Sequence, residues 1–274
     1  MNNFVKRTLS ATVYAALVIS SILVHPYYFG VVFLVLSLLT VREFMHLMHC
    51  SVSQTICSLV LAAVLFAAYY CNGGLTTILS RAIYAGVLML ALVLELFLKA
   101  ENPIHNWGYT LVSQIMIALP FALMTQLYGM GGIEQGKYIL LALFILIWVN
   151  DSGAYIVGSL MSKRKGGNHK MFPRVSPNKS WEGLIGGAFF AILGGWVLYM
   201  VEWLPNNILF ALVFALVISI FGTLGDLMES LMKRTIGVKD SGNIMPGHGG
   251  ALDRFDSLLL ATPAICLLFL CWPL

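Results

Sequence analysis

Residues 210–260 read FALVFALVISIFGTLGDLMESLMKRTIGVKDSGNIMPGHGGALDRFDSLLL, a polar stretch between two apolar runs. The apolar–polar–apolar pattern predicts two membrane-spanning helices joined by a polar loop. The polar part, from Asp226 to Asp256, is dense in carboxylates, cationic side chains and glycines. A charge near lipid costs about 2.5–3.5 kcal/mol unless it is paired, hydrated or bound to an ion. So much charge at this point therefore indicates a functional site.

The composition of the whole chain also indicates a protein that lies in lipid. Hydrophobic residues make up 59% of the chain and charged residues only 10%, with a mean hydropathy of +0.86. Soluble domains carry about 25% charged residues. In lipid, backbone groups must be satisfied within the segment, so we predict an all-α, polytopic integral membrane protein. No nucleic-acid partner is expected.

A spanning helix needs about 20 mostly apolar residues, and the chain offers about nine such segments. They are roughly Thr8–Val24, Tyr28–Met48, Gln54–Cys71, Leu75–Leu98, Trp107–Tyr128, Lys137–Met161, Trp181–Val201, Asn206–Met232 and Phe255–Cys271. We divide them into an N-terminal region, 1–136, of about five spans and a C-terminal region, 137–274, of about four. The C-terminal region carries two polar loops, 162–180 and 233–254.

The distribution of positive charge predicts the orientation. With about nine crossings, all but Arg81 and Lys137 of the 16 Lys and Arg residues fall on the side of the N-terminus. Cytoplasmic loops are enriched in Lys and Arg. We therefore expect a cytoplasmic N-terminus, with both polar loops on the cytoplasmic side of the cell (inner) membrane.

Two pairs of carboxylates stand at the ends of the last two spans. Asp226 and Glu229 are three residues apart, so they share a helix face, and Asp253 and Asp256 repeat the spacing. If the two helices are neighbours, the four groups converge. Carboxylate oxygens suit Mg²⁺ or another hard divalent cation, and a second metal ion is left open.

The alternative for these acids is structural. Asp226 would then pair with Lys233, while Asp253 would cap the last helix and pair with Arg254 or Lys239. Ion pairs of this kind explain single charges, but they do not explain two carboxylate pairs at the same depth.

The loop between the two pairs suits phosphate. Lys233, Arg234 and Lys239 are cations beside the predicted metal, and residues 247–250 read GHGG. Successive backbone N–H groups of such a turn can cradle an anion. His248 is either a hydrogen-bonding loop residue or a catalytic group.

Two other places point to the same chemistry. Asp151 interrupts the sixth span, where it is either a site residue or a partner in a helix–helix hydrogen bond. In the loop before the seventh span, Ser180 is a plausible N-cap. Lys179 sits at the positive end of that helix, where anions bind. Lys163, with its basic neighbours, is predicted to contact anionic lipid headgroups. Together these features favour metal-assisted phosphoryl or nucleotidyl transfer to a lipid.

The motifs resemble those of the phosphatidate cytidylyltransferases (CDP-diacylglycerol synthases). The resemblance rests on SLMKR at 230–234, KD at 239–240, PGHGG at 246–250, DRFDS at 253–257 and, upstream, SPNKSWEG at 176–183. It covers the chain well from about residue 140, with the region of Asp151 included. One departure is Asn178, where many relatives carry a lysine.

The resemblance implies that CTP and phosphatidic acid react to CDP-diacylglycerol and pyrophosphate, with Mg²⁺ or another divalent cation as cofactor. It implies that the metal is held by Asp226, Asp253, Asp256 and Glu229. It implies catalytic roles for Asp226, Asp253, Asp256, Lys239 and His248. The substrate-binding residues that it implies are Asp151, Ser176, Lys179, Lys233, Arg234, Gly249, Gly250 and Arg254. Membrane lipids are the expected surroundings, and homodimerisation is an expectation from the resemblance alone.

Two other functions were weighed. A CTP-dependent kinase of a polyprenol or another lipid alcohol would transfer the γ-phosphoryl group to a hydroxyl. An ion- or proton-coupled transporter would use Asp151, Asp226 and Glu229 as a cation path, but it leaves the Gly/His/Lys loop unexplained. The CDP-alcohol phosphotransferases are excluded, because their paired D-G and D-x3-D pattern is absent from the sequence.

Overall fold

Long apolar helices account for most of the chain. The structure is a computed structural model that describes residues 3–71, 75–98, 102–164, 167–205, 207–242 and 249–272. The helices in the first half are α1 (Asn3–Val24), α2 (Pro26–Leu47), α3 (Val52–Tyr70), α4 (Leu75–Leu98), α5 (Pro103–Val112), a π-helical turn (Ser113–Ala118) and α6 (Leu119–Gly129). The elements that follow are α7 (Ile133–Ser162), β1 (Lys170–Phe172), β2 (Ser176–Ser180), α8 (Trp181–Met200), α9 (Ile208–Thr235) and α10 (Leu252–Cys271).

The helices confirm the all-α, polytopic class. Within the described ranges, 8 helices are long and apolar enough to cross a membrane, and one of them is the continuous segment Pro103–Gly129. The first predicted span, Thr8–Val24, is a shorter apolar helix. The count of about nine spans and their orientation therefore stay predictions.

Helix starts follow local capping chemistry. The Ser180 side chain accepts a hydrogen bond from the backbone N–H of Gly183 at 3.1 Å, which confirms the predicted N-cap of α8. The Asn207 side chain does the same for Phe210 at the start of α9, at 3.2 Å. Each cap satisfies an N–H group that has no partner inside its own helix.

A short hairpin precedes α8. Strands β1 and β2 are antiparallel, with Lys170 opposite Ser180 and Phe172 opposite Ser176. This pairing was not predicted from the sequence. Strand β2 ends at Ser180, which is the N-cap of α8. The hairpin therefore fixes the position of Lys179, the residue before this cap, and the start of the helix.

The chain forms two compact units. One comprises residues 1–126 and 240–254, and the other comprises 127–239 and 255–274. In the first, α2 packs between α1 and α3 over buried aromatic side chains such as Phe29, Phe33 and Phe44. In the second, α8 packs along both α7 and α9. The predicted functional division at residue 136 is not tested by these boundaries and stays a prediction.

A glycine on α9, Gly225, lets this helix approach α10 within the second unit. A Cβ atom at Gly225 would collide with the backbone oxygen of Asp256 and crowd the backbone of Ser257. A Cβ atom at Gly222, one turn earlier, would lie 3.7 Å from the Cβ of Ser257, which is an ordinary contact. The close approach therefore depends on Gly225 and not on Gly222.

Replacing these glycines by alanine should separate the two effects. We expect Gly225→Ala to lower stability by about 1–3 kcal/mol, the usual cost of overpacking. Gly222→Ala is the matched control, and it should be neutral or slightly stabilising because alanine favours helix over glycine. The measurement is the thermal unfolding midpoint of both purified variants in detergent. Equal midpoints for the two would contradict the assigned contact.

Candidate active site

A polar cavity opens among α7, β2, α8 and α9 in the unit formed by residues 127–239 and 255–274. Its volume is about 330 Å³. The polar residues that line it are Asn150, Asp151, Asn178, Lys179, Ser180, Thr223 and Asp226. The cavity thus brings Asp151, Lys179 and Asp226 together, although the sequence separates them by up to three elements.

The ion pair between Lys179 and Asp226 lies in this cavity. The Lys179 Nζ atom is 2.6 Å from Asp226 Oδ2, and the two side chains are 23% and 31% exposed. Lys179 also donates to the backbone oxygen of Thr223 at 3.5 Å, and the Ser230 hydroxyl donates to Asp226 Oδ1 at 3.2 Å. Lys179 thus provides the ion-pair partner that the structural alternative assigned to Lys233.

Asp151 is oriented by a chain of hydrogen bonds that crosses from α9 to α7. The Ser219 hydroxyl donates to Asn150 Oδ1 at 2.6 Å, and Asn150 Nδ2 donates to Asp151 Oδ1 at 3.3 Å. Asn150 is only 2% exposed, and it packs against Gly187, where a Cβ atom would collide with its side-chain oxygen. Sequence reasoning missed Ser219, because one serine in an apolar helix carries no signal of its own.

Asp256 belongs to the same electrostatic cluster. Asp151, Asp226 and Asp256 interact electrostatically with one another, and Lys179 interacts with all three. The backbone N–H of Ser257 donates to Asp256 Oδ1 at 2.6 Å. Three of the acids that the sequence singled out therefore share one electrostatic environment.

Glu229 and Lys233 form a second ion pair on α9. Lys233 Nζ is 2.6 Å from Glu229 Oε2, and the side chains are 11% and 0% exposed. Breaking a buried pair leaves an uncompensated charge, which is strongly destabilising. Their predicted roles, metal ligand for Glu229 and phosphate contact for Lys233, stay predictions.

Arg234 connects the hairpin to the end of α9. Its Nε atom donates to the backbone oxygen of Val175 at 3.3 Å, and Nη1 donates to that of Val238 at 3.0 Å. Ser176 follows Val175 at the start of β2, and Lys239 is exposed just after α9. Arg234, which is predicted to contact phosphate, therefore also links the hairpin to the segment after α9 by hydrogen bonds.

Asp253 joins the two described ends of the polar loop, in the unit formed by residues 1–126 and 240–254. Its Oδ2 atom accepts hydrogen bonds from the backbone N–H groups of Ser241 at 3.0 Å and Gly250 at 2.8 Å. Gly249 has a φ of 79°, a left-handed conformation that glycine adopts without strain. The backbone oxygen of Arg254 accepts a bond of 3.4 Å from the Tyr14 hydroxyl. The predicted loop residue His248 lies outside the described residues.

Glu43 is the residue in this region that sequence reasoning did not select. It lies on α2, is 6% exposed, and accepts a hydrogen bond of 2.7 Å from the backbone N–H of Leu252. The available signal was an acid inside an apolar span, which is a functional-site candidate by default. No motif of the resemblance supports that signal, because the resemblance covers the chain well only from about residue 140.

The cavity provides suitable donors for a metal, but the described residues do not form a complete site. Within the described ranges, no three His, Cys, Asp or Glu side chains are grouped closely enough to hold an ion. Asp151, Asp226 and Asp256 nevertheless offer hard oxygen donors, and Lys179 is the cation that interacts with them. Carboxylates that repel one another favour a divalent cation between them, and Mg²⁺ prefers such oxygens.

Comparison with known sequences decides the family. Residues 5–272 match the sequence profile described as "Cytidylyltransferase family". The chain belongs to the cytidylyltransferase family. The match covers both units, including the first half, where sequence motifs alone gave little.

Three relatives within this family carry the name phosphatidate cytidylyltransferase. One from Staphylococcus epidermidis is 49% identical over 137 residues, which are 50% of this chain and 50% of the relative. One from Staphylococcus aureus is 44% identical over 138 residues, 50% of this chain and 51% of the relative. One from Bacillus subtilis is 38% identical over 175 residues, 64% and 62% of the two chains. The chain thus spans about half the length of the staphylococcal relatives that it matches.

The Lys179–Asp226 pair can be tested by a double-mutant cycle. Asp226→Asn and Lys179→Met should each destabilise the protein, because each leaves one charge in the cavity without this partner. The double variant should recover part of the loss, with a coupling free energy of about 0.5–3 kcal/mol. Thermal unfolding of the four proteins measures it. Strictly additive losses would show that the two charges do not interact.

Proposed function

We propose that this protein is a phosphatidate cytidylyltransferase that converts CTP and phosphatidic acid to CDP-diacylglycerol and pyrophosphate. The observation that carries the proposal is the cavity in which Lys179 and Asp226 form an ion pair beside Asp151, with Asp256 interacting electrostatically with all three. Membership of the cytidylyltransferase family and the names of its relatives support it. A nucleotide triphosphate and a phosphate lipid both need such a mixture of cationic and metal-binding groups.

The reaction balances without a general base. An anionic oxygen of the lipid phosphate forms a bond to the α-phosphorus of CTP, and the bond from that phosphorus to the bridging oxygen of the β-phosphate breaks. Pyrophosphate leaves with the electron pair. Because the nucleophile is already ionised at neutral pH, no proton has to be removed from it. Catalysis is then mainly positioning and charge neutralisation.

The residues of this chain divide the work. Lys179, inside the cavity, neutralises phosphate charge, with Lys233, Arg234 and Lys239 as further cations near the end of α9. Gly249, Gly250 and His248 are assigned to triphosphate binding on the motif alone, because the Gly250 N–H already donates to Asp253 Oδ2. Roles for Ser176 and Arg254 in substrate binding are proposed on the motif alone.

A divalent cation completes the site. When bound, Mg²⁺ would neutralise developing charge on the phosphate oxygens. Asp226 and Asp256 would hold it, with Asp151 beside them. Asp253 and Glu229 stay in the proposed ligand set on the motif alone, and a second ion stays open.

The surroundings follow from the same proposal. The cavity would face the cytoplasm of the cell (inner) membrane, where CTP is, because Lys and Arg residues favour the same side in the sequence. The lipid would enter sideways from the bilayer. Homodimerisation is kept as an expectation from the family resemblance.

The kinase alternative differs in chemistry. Transfer of the γ-phosphoryl group to a lipid hydroxyl requires a proton to leave the nucleophile, so a base would help. The relatives are named for cytidylyl transfer, which favours the proposal over the kinase. A transporter would use the acids of α7 and α9 as an ion path, and ion movement in liposomes without lipid product would favour it.

The proposal is tested by incorporation of labelled CTP into lipid. Purified protein with phosphatidic acid and Mg²⁺ should form a CDP-lipid, and EDTA should abolish this product. Restoring Mg²⁺ should restore it. If no CDP-lipid forms with added metal, the proposed function is wrong.

Asp253→Asn tests the metal assignment within this assay. We expect turnover to fall by about 100-fold or more, since losing a metal ligand removes several kcal/mol of transition-state stabilisation. The control is Lys163→Ala, an exposed residue that is assigned to lipid headgroups and should have a mild effect. Circular dichroism and detergent gel filtration check folding. Near-normal turnover by Asp253→Asn would refute its role.

A further inference from the structure

Glu43 is a buried acid that the proposed reaction does not use. It lies one turn before the end of α2, among the buried residues Phe44 and Met45, and is 6% exposed. A buried carboxylate is costly unless it accepts hydrogen bonds or meets a positive charge. Its partners therefore indicate why it is there.

The Glu43 carboxylate meets the start of α10. Oε2 accepts a hydrogen bond of 2.7 Å from the backbone N–H of Leu252, across 209 positions of sequence. Leu252 is the first residue of α10, so its N–H has no partner inside that helix. The positive end of the helix dipole adds to the attraction. Glu43 thus caps α10 from another helix.

The same carboxylate lies against the backbone on both sides of the polar loop. A Cβ atom added at Gly242 or at Gly250 would collide with Glu43 Oε1. Asp253 joins the same two flanks, through the N–H groups of Ser241 and Gly250. Two carboxylates therefore hold the loop ends, one from α2 and one from α10.

We propose that Glu43 is a positioning residue for the two described flanks of the polar loop, residues 241–242 and 249–253. By capping α10 and filling the space beside Gly242 and Gly250, it fixes the backbone from which the Gly250 N–H meets Asp253. It also sets the direction of the Asp253 carboxylate, because Asp253 directly follows Leu252 in the chain. This role rests on the proposed function, because it assigns the loop to CTP and Asp253 to its metal.

The first test uses Glu43→Ala, with Thr40→Val as the matched control. Thr40 is also buried on α2, but its hydroxyl donates to Leu36 within the same helix, at 2.8 Å. We expect Glu43→Ala to lower kcat/KM for CTP by about 10- to 100-fold, as for other groups that orient metal ligands. The KM for phosphatidic acid should hold, and Glu43→Gln, which keeps an acceptor for Leu252, should recover part of the loss. Equal losses in Thr40→Val and Glu43→Ala would indicate a general effect on α2 and overturn the proposal.

A double variant tests the contact between Glu43 and Gly242 directly. The comparison is informative even if one of the single variants is partly misfolded. Gly242→Ala should lower turnover because its new methyl group meets Glu43. Glu43→Ala removes that obstacle, so adding Gly242→Ala to it should cost little more. Losses that multiply independently would contradict the contact.

Amide hydrogen exchange separates this inference from the proposed function. In Glu43→Ala, the peptide covering residues 249–254 should exchange faster than in the wild type, while the rest of α2 stays protected. This readout needs no enzymatic activity. A wild-type protein that makes no CDP-lipid would refute the proposed function, whereas unchanged exchange at 249–254 would refute the positioning role of Glu43.

Discussion

A charged side chain in an apolar helix must find a partner, because lipid solvates it poorly. Within the second unit, Lys179 finds Asp226, and Lys233 finds Glu229, each at 2.6 Å. In the first unit, Glu43 finds the backbone N–H of Leu252 at the positive end of α10. Pairing thus explains why these charges are tolerated, and the contacts of Lys179 and Glu43 also join separate elements within each unit.

The cavity shows how such pairing leaves capacity for a substrate. Asp151, Asp226 and Asp256 repel one another, and Lys179 forms a direct ion pair with Asp226 and attracts the other two electrostatically. A metal-bound triphosphate would bring cations to the acids and anions to the lysine at once. The mixture of charges is the reason why we propose a metal-bound nucleotide as the ligand of this cavity.

Several features could be read from the sequence because their signals are local. The length of the apolar segments predicted the helices, and Ser180 predicted the start of α8. Charge inside apolar segments indicated Asp151 and Asp226 as site residues. Other features depend on contacts between distant residues. Lys179 is the partner of Asp226 only because β2 delivers it to α9, and spacing suggested Lys233 instead. The partner of Glu43 lies 209 positions away, so no window of sequence could connect them. Ser219 orients Asn150, yet a serine in an apolar helix has no pattern that marks it.

The proposed chemistry at the lipid phosphate can be followed directly by tracing which phosphorus of CTP enters the lipid. Purified protein would be given phosphatidic acid, a polyprenol as lipid alcohol, Mg²⁺ and CTP labelled in either its α- or its γ-phosphate. Cytidylyl transfer predicts that the α-label appears in the lipid fraction and that the γ-label leaves in pyrophosphate. Recovery of the γ-label in the lipid, with CDP as the second product, would contradict this account and assign the cavity to a lipid kinase.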